Sequence, residues 1–477
     1  MNFKSFGLSF YVTFLVPLFF SIGCFAILGE NGVLFCFQVF LSVLLLCLMY
    51  VDALRKGAEV FHPLPITLIV MCWVFVLSPV VGVATGEYLA MPPKIIDFDF
   101  WFVVISWVYL FCIFVFYIGV KLGNSVTVNV RPRAWNWQRL SWIGWGLLVI
   151  SFLAQVYVYI SFGGVMGYLT TWSESRDEFV GLGKVFIVSE AFPSIFAVLA
   201  VATIFRKDLK NKGFWVLFLF LCFFIAKLFF GGFRGSRSNT VWGLFWFAGI
   251  VHLYIYKLKL RHFLFGFIFV FSFVSIYSLY KSFGINAFSG EYSLSDTGRY
   301  EDTNPLLRIG MNDFSRVGVH SYILHEYLNR SDYQDKFGQT YAMSFAGMLP
   351  GLRSVLNFHN KNSAGAELFY GSYVDIGVSD FFNSRVYGLY GEGLLNFGPV
   401  LAVVLFLFAG FFIAFINKVT LQYKKNDPRI FLIPFYSNVS FIFLMSDSDN
   451  FIFFFMKNGF ILLFFIYSCS FLVRKQK

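Results

Sequence analysis

Long apolar stretches constrain this chain more than any other feature of its sequence. Twelve of them run for about 20 residues each, which is the length of α-helix that crosses about 30 Å of hydrocarbon. No soluble core can bury that many, and only 13% of the residues are charged, so an ordinary soluble enzyme, a nucleic-acid-binding domain and a disordered chain are excluded. The sequence predicts an all-α polytopic membrane protein with about 12 transmembrane helices, at 5–29, 32–53, 63–86, 101–123, 140–162, 185–205, 212–232, 238–256, 261–282, 397–417, 430–446 and 451–473.

The positive charges predict the orientation in the membrane. The chain has a net charge of +11, and 21 of its 37 Lys and Arg residues lie in the termini and in alternate short loops. Loops of this kind face the cytoplasm under the positive-inside rule. We therefore expect both termini to be cytoplasmic, and we expect the lipid bilayer, not nucleic acid, to be the partner of this charge.

One long segment interrupts the series of apolar stretches. Residues 283–396 carry 12 Asp and Glu, eight Lys and Arg and three of the six His, on the face opposite the basic loops. Long loops are usually functional. The chain is thus divided into an N-terminal bundle of about nine helices (1–282), a large outer helical loop (283–396) and about three C-terminal helices (397–477). Within the loop we expect a helix from Pro305 to Arg330 and a short re-entrant or interfacial segment from Tyr341 to Leu352.

Two arginines among Gly and Ser residues form the first candidate site. Arg234 and Arg237 lie in the run from Gly231 to Asn239, just before the eighth stretch. Gly allows close approach to the backbone, a helix start offers free N–H groups, and guanidinium groups match phosphate oxygens in pairs. The run predicts a phosphate or pyrophosphate site; a tight turn whose arginines snorkel to lipid phosphates is the alternative. Further outer-face cations for such a group are Arg176, Arg353 and Arg385.

The second candidate site needs a group that accepts a proton. Glu392 is the first choice, because it lies between two glycines at the outer end of the tenth stretch. Its alternative role is to complement the dipole of a helix N-terminus. On a helix continued from Arg385, Glu392 would lie two turns further along the same face. Asp380 and His320 are the next choices.

Together these features resemble the O-antigen polymerases of the Wzy type. The resemblance is carried by the twelve stretches, the late outer loop, the Gly-Arg run and two further runs at 338–353 and 384–398. Arg299 and Gly310 also have the Arg-x(10)-Gly spacing described for outer loops of the family, whereas Ile187 stands where such a glycine would follow Arg176. The resemblance implies a helical glycosyltransferase of the GT-C class in a bacterial inner membrane, with residues 283–396 in the periplasm.

The implied reaction extends a surface polysaccharide. An oligosaccharide chain on undecaprenyl pyrophosphate is transferred to the next lipid-linked repeat unit, and a chain-length regulator protein is an expected partner. Neither a metal nor a cofactor is required. The implied roles are pyrophosphate binding by Arg234, Arg237, Arg176, Arg353 and Arg385, proton transfer by Glu392, Asp380 or His320, and sugar binding by Tyr341, Tyr390, Arg308 and Arg316. An O-antigen ligase, which is expected to use a loop histidine, and a transporter of lipid-linked oligosaccharide are the alternatives.

Overall fold

The computed structural model describes residues 13, 15–28, 32–86, 96–174, 182–206, 211–234, 237–283, 315–349, 351–356, 358–370 and 386–473. These residues are predominantly helical and belong to two compact units. The first unit comprises Met1–Val128, Thr303–Leu421 and Val439–Ile452, and the second comprises Asn129–Asp302, Gln422–Asn438 and Phe453–Lys477. Both units are assembled from separate parts of the chain, so they cut across the three consecutive segments expected from the sequence.

The helices of the N-terminal half are α1 (Val16–Leu28), α2 (Val33–Arg55), α3 (Pro63–Cys72), α4 (Ser78–Thr85), α5 (Phe98–Ser125), α6 (Trp137–Ser161), α7 (Val165–Glu174), α8 (Gly183–Ser189), α9 (Phe192–Ile204), α10 (Lys212–Phe229), α11 (Arg237–Ile250) and α12 (Leu260–Phe283). Those of the C-terminal half are α13 (Val317–Asn329), α14 (Gln339–Ala346), α15 (Leu352–Leu356), α16 (Lys361–Tyr370), α17 (Gly388–Thr420), α18 (Ile433–Met445), α19 (Ser448–Phe455) and α20 (Ile461–Ser468). Short π-helical turns at Trp73–Leu77, Val251–Ile255 and Met456–Phe460 and 3₁₀ turns at Gly232–Arg234 and Pro428–Leu432 extend or join them, and two strands, β1 (Arg133–Trp135) and β2 (Ser470–Leu472), complete the described elements.

Ten helical segments in the described part of the chain are long and apolar enough to cross a membrane. They are Val33–Arg55, Pro63–Thr85, Phe98–Ser125, Trp137–Ser161, Gly183–Ile204, Lys212–Phe229, Leu260–Tyr277, Gly388–Thr420, Pro428–Met445 and Ser448–Ser468. The chain is therefore an all-α, multi-pass membrane protein, and ten of the predicted stretches are confirmed as long apolar helices. In the other two, the structure describes α1 with 13 residues and α11 with 14 residues, so a count of twelve spans stays a prediction.

The first unit is organised around the contact of α5 with α17. Small residues let the two backbones approach closely, as is common where membrane helices pack. A methyl group at Gly119 would overlap the carbonyl oxygen of Leu407, and one at Gly410 would overlap the carbonyl oxygen of Phe116. This contact fixes the long apolar part of α17, at Leu407 and Gly410.

A break divides α17 at Gly398. The backbone there has φ 76° and ψ 175°, which is outside the helical region and which glycine adopts more readily than other residues. Pro399 follows, and it lacks the N–H group that would continue the helical hydrogen bonds. A short segment with Glu392 and Asn396 is thereby set apart from the long apolar segment that begins at residue 399.

The second unit has its own helices and a small sheet. Strands β1 and β2 pair antiparallel, with Ala134 opposite Phe471. The N–H group of Arg133 donates to Oδ2 of Asp427 at 3.0 Å, and Arg429 forms an ion pair with the same carboxylate at 2.7 Å. These contacts join three distant parts of the chain within this unit.

The helix expected in the large loop is shorter than predicted. α13 begins at Val317 rather than at Pro305, and residues 305–314 lie outside the described part of the chain. Arg316, directly before α13, donates from Nε to the carbonyl oxygen of Met445 at 3.0 Å. In the apolar stretch 341–352, α14 ends at Ala346 and α15 begins at Leu352, and Phe345 and Leu349 are exposed.

Candidate functional site

Glu392 lies in a hydrogen-bonded cluster of the first unit and is only 1% exposed. Its Oε1 accepts hydrogen bonds from Oγ1 of Thr340 at 2.7 Å and from Oγ of Ser448 at 2.6 Å. Its Oε2 accepts from the N–H group of Ser448 at 2.6 Å. One carboxylate thus joins α14 and the start of α19 to the short segment of α17.

Asn396 completes the connection between α14 and α17. Its Nδ2 donates to Oγ1 of Thr340 at 2.7 Å and to the carbonyl oxygen of Glu392 at 2.8 Å, and its Oδ1 accepts from the N–H group of Gly338 at 3.0 Å. Because an amide satisfied on both sides holds its neighbours in one arrangement, the start of α14 is fixed against Glu392. The runs 338–353 and 384–398, which are separate in the sequence, therefore meet here.

A second buried carboxylate lies next to this cluster. Oδ1 of Asp447 accepts from the N–H groups of Tyr387 at 2.6 Å and Gly388 at 3.2 Å, and its Oδ2 forms an ion pair with Lys361. The side chain of Asp447 is fully buried and that of Lys361 is nearly so. We call Glu392, Asp447, Lys361, Thr340 and Ser448 the acidic centre.

Arg353 lies at an exposed edge close to the acidic centre. Its Nη2 forms an ion pair with Oδ1 of Asp449 at 2.9 Å, and its side chain is 53% exposed. Asp449 is the residue after Ser448, so the ion pair holds the guanidinium of Arg353 beside the acidic centre. Because the guanidinium is fixed in place but open to solvent, it can bind an anionic group of a ligand next to the acidic centre.

His320 is buried and both of its ring nitrogens are used. Nε2 lies 2.6 Å from the carbonyl oxygen of Tyr387, and Nδ1 lies 2.7 Å from the hydroxyl of Tyr109. Since a carbonyl only accepts, the proton is on Nε2, and Nδ1 accepts from Tyr109. Burial is the main cause that lowers the pKa of His320 to about 3, and the nearby charge of Arg316 lowers it further. The geometry favours a structural role for this imidazole over that of a base.

We expect the His320→Gln variant to melt at a lower temperature and to lose less stability in acid than the parent protein. In the parent, the folded state keeps His320 neutral down to about pH 3, whereas the unfolded state takes up a proton near pH 6.5. Folding stability from this group is therefore complete above pH 6.5 and is lost as the pH falls toward 3. Thermal melting in detergent across that range measures the difference. His359→Gln is the matched control, since that side chain is 45% exposed, and an unchanged pH slope in His320→Gln would contradict the assignment.

The predicted sugar-binding residues differ in their accessibility. Tyr390 is fully buried against the ring of His320, at 5.3 Å between centroids, so in this arrangement it does not face a ligand. Tyr341 stacks on Phe397 at 6.1 Å and is partly exposed. Arg316 holds the end of α18, as described above. Arg308 lies outside the described residues.

Several other predicted residues are outside what the structure describes. These are Asp380, Arg176 and Arg385, together with the side chains of Arg234 and Arg237. The expected continuous helix from Arg385 to Glu392 is wrong, because Val386 and Tyr387 are not helical and Gly388 begins α17 with φ 67°. The positive φ turns the chain at Gly388, so no regular helical spacing connects the two residues.

The first residues of the Gly-Arg run, Gly231 to Phe233, are held from several sides within the second unit. Hydroxyl groups of Tyr277 and Tyr280 donate to the carbonyl oxygens of Gly232 at 2.5 Å and Phe233 at 3.3 Å. A methyl group at Gly231 would collide with the carboxylate of Glu190.

Glu190 is itself fixed by two partners within the same unit. Its Oε2 accepts from Nδ2 of Asn239 at 2.6 Å and forms an ion pair with Lys457 at 2.5 Å. Nζ of Lys227 lies 3.5 Å from Oδ1 of Asn458. Glu190 thus lies against both ends of the Gly-Arg run, at Gly231 and at Asn239.

The contribution of Asp447, Ser448 and Lys361 was missed from the sequence. The side chain of Asp447 accepts from backbone N–H groups at the start of α17, which is 59 residues away in the sequence. The available signal was a polar run, Ser446 to Asn450, between two apolar stretches. Lys361 gave no signal, because its partner is 86 residues away.

Comparison of the chain with protein-family models, with curated proteins and with solved structures gives no match.

Proposed function

We propose that this protein is a membrane glycosyltransferase that polymerises lipid-linked oligosaccharide repeat units, as an O-antigen polymerase of the Wzy type does. One observation carries the proposal: the runs 338–353 and 384–398 meet around Glu392, at the end of an apolar helix and close to the exposed Arg353. A buried carboxylate suits proton transfer, and an anchored guanidinium suits a pyrophosphate. Undecaprenyl pyrophosphate is the proposed carrier.

The proposed reaction forms one glycosidic bond and breaks one bond to phosphate. The hydroxyl oxygen of the acceptor sugar attacks the anomeric carbon of the donor, and its proton passes to the carboxylate of Glu392. The bond between the anomeric carbon and the pyrophosphate oxygen breaks, and the lipid pyrophosphate leaves with that electron pair. Arginine side chains stabilise the charge on the leaving group. Because Glu392 is buried and its carboxylate is bonded to Thr340 and Ser448, the proposed reaction requires at least one of these hydrogen bonds to open for the acceptor.

The proposed setting is the periplasmic face of a bacterial inner membrane. The basic loops support this orientation, with both termini and residues near 210 and 258 in the cytoplasm and residues near 330 in the periplasm. A chain-length regulator is the proposed protein partner.

We expect the Arg234→Ala/Arg237→Ala variant to lose most polymer while it still inserts into the membrane. In this proposal both guanidinium groups bind a lipid pyrophosphate as forks, and lysine keeps the charge but not the paired geometry, so Lys at either position restores only part of the activity. The measurement is the ladder of glycan lengths in a host that lacks its own polymerase. Arg139→Ala, an exposed arginine of the same unit, is the control, and a full ladder from the double variant would remove these residues from the site.

Two alternatives are distinguished by deleting this protein from its own organism and analysing the glycan that remains. The ion pair of Glu190 with Lys457 is buried among apolar helices of the second unit, and such charges also mark transport pathways. Loss of a transporter would leave no glycan at the surface, loss of a ligase would leave chains on the lipid carrier, and loss of a polymerase leaves single repeat units at the surface.

A further inference from the structure

A cavity of about 470 Å³ opens in the second unit, and none of its described lining residues belongs to the Gly-Arg run. It lies where several apolar helices begin or end. Trp137 is the first residue of α6, Arg206 follows the end of α9, and Lys212 is the first residue of α10. Lys425 joins them from the loop before the 3₁₀ turn at Pro428–Leu432.

The lining combines positive charge with aromatic rings. Arg206, Lys212 and Lys425 contribute to it, and no Asp or Glu occurs among the lining residues that the structure describes. The guanidinium carbon of Arg206 lies 4.3 Å from the centre of the Trp137 ring, so its orientation is fixed by a cation–π contact. Trp135 and Tyr254 complete the aromatic part of the wall. A lining of this kind suits an anion attached to a less polar group.

The depth of the pocket in the membrane follows from α6. Trp142 and Trp145, which follow Trp137 in the first turns of α6, are 77% and 62% exposed. Exposed tryptophans at the end of a spanning helix lie at the level of the lipid headgroups.

The volume of the cavity indicates the size of its ligand. It is far larger than one phosphate ion needs and is within the range of about 300–1,000 Å³ that is usual for organic ligands.

We infer that this basic pocket binds the phosphate-bearing headgroup of an anionic phospholipid. Basic pockets between membrane helices bind such headgroups, and each cation near the membrane surface contributes about fivefold in affinity. The basic loops predict that this face is cytoplasmic, where the site would hold a lipid of the inner leaflet. The inference does not rest on the proposed polymerase reaction.

The test uses the full chain, purified in a nonionic detergent. Phosphatidylglycerol, phosphatidylcholine and glycerol 1-phosphate are added separately, and binding is followed by thermal stabilisation and by native mass spectrometry. We expect stabilisation by phosphatidylglycerol only. In Arg206→Gln/Lys425→Gln, the affinity for phosphatidylglycerol should fall by about thirtyfold, which is about fivefold for each cation removed.

The control variant, Lys259→Gln/Arg261→Gln, removes the same charge from exposed positions of the same unit and should bind normally. Equal affinity in both double variants, or equal stabilisation by phosphatidylcholine, would overturn the inference. Equal stabilisation by glycerol 1-phosphate would overturn the lipid assignment and leave a soluble phosphate ester as the ligand. Arg206 and Lys425 are exposed, so each single Gln variant can replace a double variant that does not fold.

Discussion

Replacing Glu392 with glutamine should convert a ladder of polymer lengths into single-unit glycans. A protonated sugar hydroxyl is a weak nucleophile, and a positioned base contributes about 10²–10⁴-fold to such a reaction. An amide has nearly the same shape as the carboxylate, but it does not take up the proton. The measurement is the chain-length distribution in a polymerase-deficient host, together with the turnover of purified protein on a lipid-linked repeat unit.

The control must separate chemistry from structure, because the same carboxylate also holds Thr340 and Ser448. The Thr340→Val/Ser448→Ala variant removes both side-chain hydrogen bonds to Glu392 and keeps the carboxylate. If Glu392 accepts the proton, the rate of this double variant stays within about tenfold of the parent rate. That loss is smaller than the loss of about 10²–10⁴-fold expected when the base itself is removed. If Glu392 only connects α14 with α19, both variants lose activity in proportion to their loss of thermal stability, and the catalytic role is rejected.

Replacing Lys361 with methionine should destabilise the first unit by about 3–5 kcal/mol, since it leaves a buried charge without its partner. Asp447 has no exposed surface, so water does not replace the missing ammonium group. Denaturant titration in detergent and the amount of protein in the membrane both report this loss.

A second substitution identifies the cause. Asp447→Asn removes the buried charge, and its amide oxygen can still accept from the N–H groups of Tyr387 and Gly388. The double variant should therefore recover much of the lost stability. Lys336→Met is the matched control, because its partner Glu367 is 20% exposed and can be hydrated, so a smaller loss is expected there. Equal losses in Lys336→Met and Lys361→Met would show that burial of Asp447 does not govern the effect.

The spanning helices could be predicted because hydropathy is a local property of the sequence. Each apolar stretch reports its own length, and ten of them form long apolar helices. Glu392 could also be found, because a carboxylate between two glycines at the end of an apolar stretch is conspicuous.

Its partners could not be predicted in the same way. Thr340 and Ser448 are 52 and 56 residues from Glu392, and hydroxyl side chains are common everywhere in the chain. His320 was over-interpreted for the same reason, because its surroundings cannot be read from the sequence. As a loop histidine it suggested a base, but its burial and its contacts with Tyr109 and Tyr387 depend on packing that a sequence does not display.

The break at Gly398 has a mechanical consequence for the protein in bilayers of different thickness. A long spanning helix adapts to a thinner or thicker bilayer by changing its tilt. In an unbroken helix, a change in the tilt of the spanning segment would also displace Glu392 at its end. At Gly398 the helical backbone is interrupted, so the segment before it is oriented by Thr340, Asn396 and Ser448 rather than by the helix axis. The long segment of α17 can therefore change its tilt without turning Glu392 with it, and we expect the geometry of the carboxylate to respond less to acyl-chain length than it would in an unbroken helix.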